Sequence, residues 1–124
     1  MKSVGEIFGT LPDDGFGLIS CEELNERISS GDSLFILDIR KKSDWDLNRI
    51  TGSVHREWED VGGLIESGAI PKDRDIVVVC YVGQSSGQVT GVMRTLGFRA
   101  YSLLDGFNEW KSADYPVEDV AEVN

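Results

Sequence analysis

The sequence predicts an α/β domain in which a parallel sheet carries helices on both faces. Two uninterrupted apolar runs, LFIL at residues 34–37 and IVVV at 76–79, have the composition of strands that are covered on both sides. Segments with apolar residues three and four positions apart alternate with the strand-like runs. Alternation of this kind is typical of a parallel sheet whose strands are joined by right-handed crossovers through helices.

The first half of the chain supplies the shorter elements. Leu18-Ile19 is a short strand, and Ser20 is placed to cap a helix because Glu23 follows three residues later, as in a capping box. The LFIL strand ends on Asp38. Ser43 is the expected cap of a short helix that follows.

The second half repeats the alternation with stronger signals. The helix that begins at Ser86 has apolar residues at i, i+3, i+4 and i+7, and Gly97 follows its end. The predicted elements are, in order, a weak strand at 53–55, a helix over 58–65 that Gly68 stops, the strand 76–79, the helix from Ser86 to Leu96, a strand at 100–103 and a helix that begins with Phe107 and Trp110.

Length and charge limit the class of protein. At 124 residues the chain is expected to be one domain, 1–124, with a core over about 16–118, an irregular lead-in over 1–17 and an acidic tail over 115–124. The net charge of −10 argues against a nucleic-acid or anionic-membrane partner, because phosphate groups would repel it. The sequence does not specify the oligomeric state.

The predicted cellular location and the expected lack of cofactors are based on patterns that the sequence lacks. No apolar stretch approaches the roughly 20 residues of a membrane span, and the N-terminus lacks a signal-peptide pattern. Cys21 and Cys80 cannot form a disulfide framework, which predicts a reducing, cytoplasmic setting. Two cysteines and one histidine without short ligand spacing predict no metal, and no organic cofactor is expected.

Cys80 is the candidate reactive residue. It ends the strongest strand six residues before a well-patterned helix, so backbone N–H groups are expected to gather around its sulfur. Gly83 supplies the unusual φ that such a loop requires, and Ser85 or Ser86 is the expected N-cap. A cysteine at a helix N-terminus has a lowered pKa. The expected anion cradle is the loop Tyr81, Val82, Gly83, Gln84, Ser85 and Ser86. The spacing is equally compatible with Cys80 as a small buried hydrophobe.

The loop composition narrows the chemistry. A cysteine phosphatase needs a loop arginine to hold phosphate, and no basic residue occurs here before Arg94. A Cys–His hydrolase is possible only if His55, the single histidine, faces Cys80. Sulfur transfer through a persulfide needs a thiolate and a cradle of amides with little acid–base help. That chemistry fits the loop.

Five motifs occur in an order that resembles the rhodanese-like (sulfurtransferase) domain in its single-domain form. They are LDIR at 37–40 with Asp44-Trp45, ITGSV at 50–54, IVVVC with the six-residue loop CYVGQS, LGF at 96–98, and LLDGFNEW at 103–110 followed by YPVE at 115–118. The resemblance implies a three-layer α/β/α fold with a five-stranded parallel sheet in the order 3-2-4-5-1. It also implies that Cys80 accepts a sulfane sulfur and passes it to a thiol or to cyanide. The chain departs from the common pattern at Asn48-Arg49 and Asp105-Gly106.

The resemblance implies that Asp38 and Arg40 edge the same crevice as Cys80. For Arg40 a salt bridge to Asp44 is expected rather than donor binding, and Asp38 is expected to cap the strand end rather than bind the loop. Tyr81 and Val82 are equally compatible with a hydrophobic lip for a partner and with plain loop residues.

The donor and the activity stay open at this point. Because the loop lacks a cation, a small-molecule or protein persulfide is at least as plausible a donor as thiosulfate. A non-catalytic rhodanese-like module that binds or regulates through the same crevice is the alternative. Cys21 is expected to be inert, His55 structural, and the three tryptophans part of the core or of helix docking.

Overall fold

A computed structural model describes Ser3 and residues 17–119 of the chain. Most of the predicted lead-in and residues 120–124 of the predicted acidic tail therefore lie outside the described residues. Within residues 17–119, the helices fall short of the length and apolarity that a membrane span requires.

Five parallel strands form the central sheet. They are β1 (Leu18–Ile19), β2 (Leu34–Asp38), β4 (Val54–His55), β5 (Asp75–Val79) and β6 (Ala100–Leu103), arranged in the order β1-β6-β5-β2-β4. Counted among these five strands alone, that order is 3-2-4-5-1 read from the far edge, as the resemblance implies. β5 is the central strand, and its register aligns Val79 with Asp38 of β2. The carboxyl ends of β5 and β2 therefore meet at one edge of the sheet.

Helices cover both faces of the sheet. The structure contains α1 (Cys21–Ser29), α2 (Lys42–Leu47), a 3₁₀ turn (Trp58–Asp60), α3 (Val61–Glu66), α4 (Gln84–Thr95) and α5 (Gly106–Ser112). α3 and α4 pack with Ile76 and Val78 on one face, whereas α1 and α5 pack with Val77 and Val79 on the other. All four of these β5 side chains are fully buried, each worth about 1.5–3 kcal/mol, so IVVV is covered on both faces as predicted.

A second, two-stranded sheet was not predicted. β3 (Asn48–Arg49) pairs antiparallel with β7 (Glu118–Asp119), and the Arg49 guanidinium bonds the Glu118 carboxylate at 2.8–2.9 Å. The Asn48-Arg49 departure thus joins the start of the predicted tail to the domain.

Local capping was predicted correctly at one helix and wrongly at two. Ser20 accepts the Glu23 N–H at 3.0 Å and caps α1. Ser43 is not the cap of α2, because the helix begins at Lys42 and Lys41 holds the cap position. α4 begins at Gln84 rather than Ser86, with Gly83 as its N-cap.

Candidate active site

Cys80 directly follows β5 at the carboxyl edge of the sheet. Its side chain packs with the core cluster beneath α3 and α4, and the residue is only 4% exposed. Burial alone would make this thiol an inert hydrophobe. The polar groups that reach its sulfur are therefore decisive.

Two polar groups of the loop reach the sulfur, and both can donate a hydrogen bond to it when the thiol is ionised. The Gly83 N–H lies 3.0 Å from Sγ, and the Ser86 hydroxyl oxygen lies 3.3 Å from it. Gly83 has φ of 99°, in the left-handed region that favours glycine, and this conformation turns its N–H inward. The positive φ predicted for Gly83 is confirmed, whereas the Ser86 hydroxyl lies beside the sulfur instead of capping the helix.

These donors lower the pKa of Cys80. Burial acts against ionisation, but the Ser86 hydroxyl and the backbone N–H groups of Ser86, Gly83 and Val82 together outweigh it, so the pKa falls below its ordinary value. Donors that favour the charged form stabilise a thiolate, which is the nucleophilic form of cysteine. The arrangement can hold an anionic sulfur at the end of β5.

The start of α5 holds the outer side of the loop. The Phe107 N–H donates to the Cys80 carbonyl at 2.8 Å, and the Asn108 N–H donates to the Tyr81 carbonyl at 3.1 Å. Gly106 allows this approach, because a Cβ there would lie 2.5 Å from the Tyr81 oxygen and 2.7 Å from the Cys80 oxygen. With the two carbonyls bound by α5, the N–H groups of Val82, Gly83 and Ser86 face the sulfur.

The other side chains of the loop either bond to α2 or are exposed to solvent. The Tyr81 hydroxyl donates to the Asp44 carboxylate and accepts the Lys41 N–H at 3.2 Å, which ties the loop to α2. Val82 is 55% exposed, and Gln84 and Ser85 are exposed as well.

Asp38 and Arg40 form a buried ion pair at the end of β2, the strand that neighbours β5. The pair is at most 3% exposed, and the guanidinium bonds the carboxylate at 2.9–3.1 Å. The Arg40 N–H also bonds the Asp38 carboxylate, so Asp38 caps the strand end as predicted. The predicted Arg40–Asp44 salt bridge is wrong. Arg40 instead lies over the Phe107 ring at 3.9 Å and donates to the Asn48 carbonyl.

Comparison with known proteins identifies the family. The family model of the rhodanese-like domain matches residues 20–113, which include the Cys80 loop and the start of α5. The chain belongs to the rhodanese-like domain family.

Curated relatives of this rhodanese-like domain are named as sulfurtransferases. The thiosulfate sulfurtransferase GlpE of Pseudomonas fluorescens is 37% identical over 84 residues, which cover 67% of this chain and 74% of the relative. GlpE of Pseudomonas aeruginosa is 32% identical over 106 residues, covering 85% and 92% of the two chains.

Solved structures of related proteins have the same fold. The rhodanese-like domain of the Anabaena Alr3790 protein, solved by NMR, is 26% identical with a TM-score of 0.74, covering 87% of this chain and 83% of that chain. The BH2092 protein of Bacillus halodurans has a TM-score of 0.78 over 98% of this chain and 92% of that chain, and at 16% identity the likeness concerns the fold alone.

Cys21, the second thiol of this rhodanese-like domain, lies in an unreactive setting. It begins α1 and is buried, and its sulfur faces the carbonyl oxygens of Leu104 and Gly106 at 3.7 and 3.9 Å. Burial, with smaller effects of the Glu109 and Asp105 carboxylates, raises the pKa of Cys21 to about 11. The contrast with Cys80 supports the expectation that Cys21 is inert.

The histidine and the tryptophans pack against the rest of the domain, except for Trp58. His55 Nε2 lies 2.7 Å from the Arg40 carbonyl oxygen, and its ring packs beside Trp45. Trp110 is buried in the core, as predicted. Trp58 was predicted to be a core or docking residue, but it is 61% exposed. Trp58 borders an apolar cavity of about 720 Å³ between α3 and α4 that reaches the Cys80 loop at Ser85.

Sequence reasoning missed two residues that act on the loop. Gly106 was noted only as a departure, although its lack of a Cβ lets α5 reach the loop. Ser102 of β6 was taken as an ordinary strand residue, yet its hydroxyl oxygen lies 2.7 Å from that of Ser86. The available signal was a serine in a strand whose other residues are apolar or aromatic.

Proposed function

We propose that this rhodanese-like domain is a sulfurtransferase in which Cys80 carries the transferred sulfur as a persulfide. The observation that carries the proposal is the pair of groups at the Cys80 sulfur: the Gly83 N–H, which donates to it, and the Ser86 hydroxyl, which becomes a donor when the thiol is ionised. They make a thiolate favourable in a nearly buried site. Relatives named as thiosulfate sulfurtransferases support the same activity.

The reaction needs two displacements at sulfur. In the first, the Cys80 thiolate attacks the sulfane sulfur of the donor, the bond between that sulfur and the rest of the donor breaks, and its electron pair leaves with sulfite or a thiolate. In the second, a thiolate or cyanide attacks the outer sulfur of the persulfide, and the electron pair of the S–S bond returns to Cys80. Division of one difficult step into two is the benefit of covalent catalysis. The sum requires no oxidant, reductant or cofactor.

The loop residues have separate roles in this scheme. The N–H groups of residues 81–86 form the cradle for the thiolate and for the outer, charged sulfur of the persulfide. Asp38 and Arg40 are assigned a supporting role, because their charges are paired with each other and buried, and the Arg40 guanidinium lies 6.0 Å from the Tyr81 ring of the loop.

The donor is a sulfane-sulfur compound, thiosulfate or a persulfide. The loop itself contains no cationic side chain, and the nearby Arg40 is already paired with Asp38. The persulfide group itself carries at most one negative charge, so its reacting sulfur needs less cationic attraction at the loop than dianionic thiosulfate does. We therefore expect faster loading of Cys80 from glutathione persulfide than from thiosulfate. The acceptor is a thiol or cyanide, and the cytoplasmic location and single-domain organisation stay predictions.

The test is the intact mass of the protein after incubation with thiosulfate or glutathione persulfide. We expect a gain of one sulfur atom that cyanide removes. Cys80→Ser should abolish the gain, whereas the matched thiol variant Cys21→Ser should retain it. A gain that persists in Cys80→Ser would contradict the assignment of Cys80. No gain with either donor would favour a non-catalytic binding or regulatory module.

A further inference from the structure

Two buried hydroxyls continue the polar contacts of Cys80 into the core. Ser86 lies in the first turn of α4 and is 0% exposed, while Ser102 lies on β6 and is 1% exposed. The two hydroxyl oxygens are 2.7 Å apart, and that of Ser86 is 3.3 Å from the Cys80 sulfur. The three side chains therefore form a chain, Ser102 to Ser86 to Cys80.

The protons of this chain have one arrangement that satisfies both hydroxyls. Each serine has one proton to donate. Within residues 17–119, the hydrogen-bond partner of the Ser102 hydroxyl is Ser86, so Ser102 must donate to Ser86 or leave its proton buried without an acceptor. When Ser102 donates, the proton of Ser86 is free to point at the Cys80 sulfur once the thiol has lost its own proton. The direction of the chain is then fixed from the sheet toward the thiolate.

We propose that Ser102 is a positioning residue that orients the Ser86 hydroxyl as a donor to the sulfur of Cys80. The orientation of Ser86 does not depend on the function proposed above. Only its consequence does, namely that a larger fraction of Cys80 is the thiolate that attacks the sulfur donor. Ser102 does not touch the sulfur, and its whole effect passes through Ser86. Ser102 lies on the sheet strand β6 rather than on the loop. It can therefore hold the orientation of the Ser86 hydroxyl while the loop binds the sulfur donor and the sulfur acceptor.

The charged groups around the site stay unchanged when Ser102 is replaced. Beside Cys80, the end of β2 carries the Asp38–Arg40 pair, and Asp105 precedes α5. In the loop, the Tyr81 hydroxyl is bonded to Asp44. On the α4 side, no charged residue occurs between Cys80 and Arg94. Substitution of Ser102 leaves all of these groups in place, so a change in Cys80 ionisation would report on the hydroxyl chain.

The test is the rate of Cys80 alkylation by iodoacetamide as a function of pH, measured in the Cys21→Ser protein so that one thiol reacts. Loss of one hydrogen bond to a charged group should reduce the thiolate fraction below the midpoint about 10- to 150-fold. We expect this shift in Ser86→Ala and in Ser102→Ala. The double variant should shift no further than Ser86→Ala alone, because Ser102 acts through Ser86.

Two further comparisons separate the hydroxyl from packing. Threonine and valine have nearly the same shape, but only threonine keeps the hydroxyl. Ser102→Val should therefore shift the midpoint and Ser102→Thr should not. This pair also tests the proposal if Ser102→Ala does not fold. Thr90→Val is the matched control. Thr90 is also buried on α4, one turn beyond Ser86, and its hydroxyl has no hydrogen-bond partner within the described part of the chain. Its replacement should leave the midpoint unchanged.

Three results would overturn the proposal. They are an unchanged profile in folded Ser102→Ala or Ser102→Val, equal shifts in the threonine and valine variants, and a double-variant shift equal to the sum of the single shifts. Alkylation requires no sulfur donor, so the outcome is independent of whether the protein transfers sulfur.

Discussion

Replacement of Gly106 by alanine is predicted to destabilise the protein and to loosen the Cys80 loop. Gly106 has φ of 67°, and its Cα faces two backbone carbonyls of the loop. An alanine Cβ would lie 2.5 Å from the Tyr81 oxygen and 2.7 Å from the Cys80 oxygen. Ordinary non-bonded contacts lie at about 3.5 Å, and backbone atoms cannot rotate away as a side chain can. Either α5 or the loop must move.

The magnitude follows from two costs. The left-handed backbone costs alanine about 1–2 kcal/mol, and crowding of a packed site costs about 1–3 kcal/mol. The free energy of unfolding should therefore fall by about 2–5 kcal/mol. Movement of the loop would also weaken the bonds from the Phe107 and Asn108 N–H groups to the loop carbonyls. The pKa of Cys80 should rise with that loss of order.

Urea denaturation measures the free energy of unfolding, and iodoacetamide alkylation reports the Cys80 pKa. Gly91→Ala is the matched control, because Gly91 lies inside α4 and is exposed, and an added Cβ would meet no atom within 4 Å beyond its own helix. Alanine there should stabilise the helix by about 0.5–1 kcal/mol. If Gly106→Ala unfolds at the same urea concentration as the unaltered protein, the close approach of α5 to the loop is not a constraint and the reasoning fails.

Two further predictions concern the buried pair and the second thiol. Asp38→Ala leaves the Arg40 cation buried without its partner and should lower the free energy of unfolding by about 3–5 kcal/mol. Asp46→Ala, which breaks the exposed pair with Lys42, should lower it by about 0.3–0.5 kcal/mol. Equal losses of the two variants in urea denaturation would refute this difference. Iodoacetamide at pH 8 should modify Cys80 and spare Cys21, as peptide mass mapping would show, because the pKa of Cys21 is raised to about 11. The unfolded chain ionises Cys21 near pH 8.5, so the free energy of unfolding should decline between about pH 8.5 and 11, and this decline should be smaller in Cys21→Ser. Comparable labelling of the two thiols would contradict the prediction.

The parts of the fold that sequence patterns predicted well depend on local signals. LFIL and IVVV had to be buried strands because each is apolar on both faces, and the structure places them side by side at the centre of the sheet. Gly83 was recognised because a tight turn beside a strand end requires positive φ. Such signals lie within a few residues of the feature that they predict.

The parts that were wrong or missed depend on contacts between distant segments. Arg40 had two acidic candidates nearby in sequence. The structure pairs it with Asp38, while Asp44 accepts the hydroxyl of Tyr81 from the distant loop. Ser102 is 16 residues from Ser86, and no local pattern joins them. Trp58 has helical spacing with the core residues that follow it, yet it precedes α3 in a 3₁₀ turn that leaves it exposed.

The most direct test of the central claim measures the midpoint of Cys80 alkylation against pH at low and at high salt in the Cys21→Ser protein. The claim is that loop N–H groups and a hydroxyl, rather than cationic side chains, stabilise the thiolate. Hydrogen bonds of short range are little affected by salt, whereas attraction to exposed cations is screened. We predict a midpoint below the value of about 8.5 for a free thiol at both salt concentrations. A midpoint at or above that value, or one that rises steeply with salt, would contradict the account.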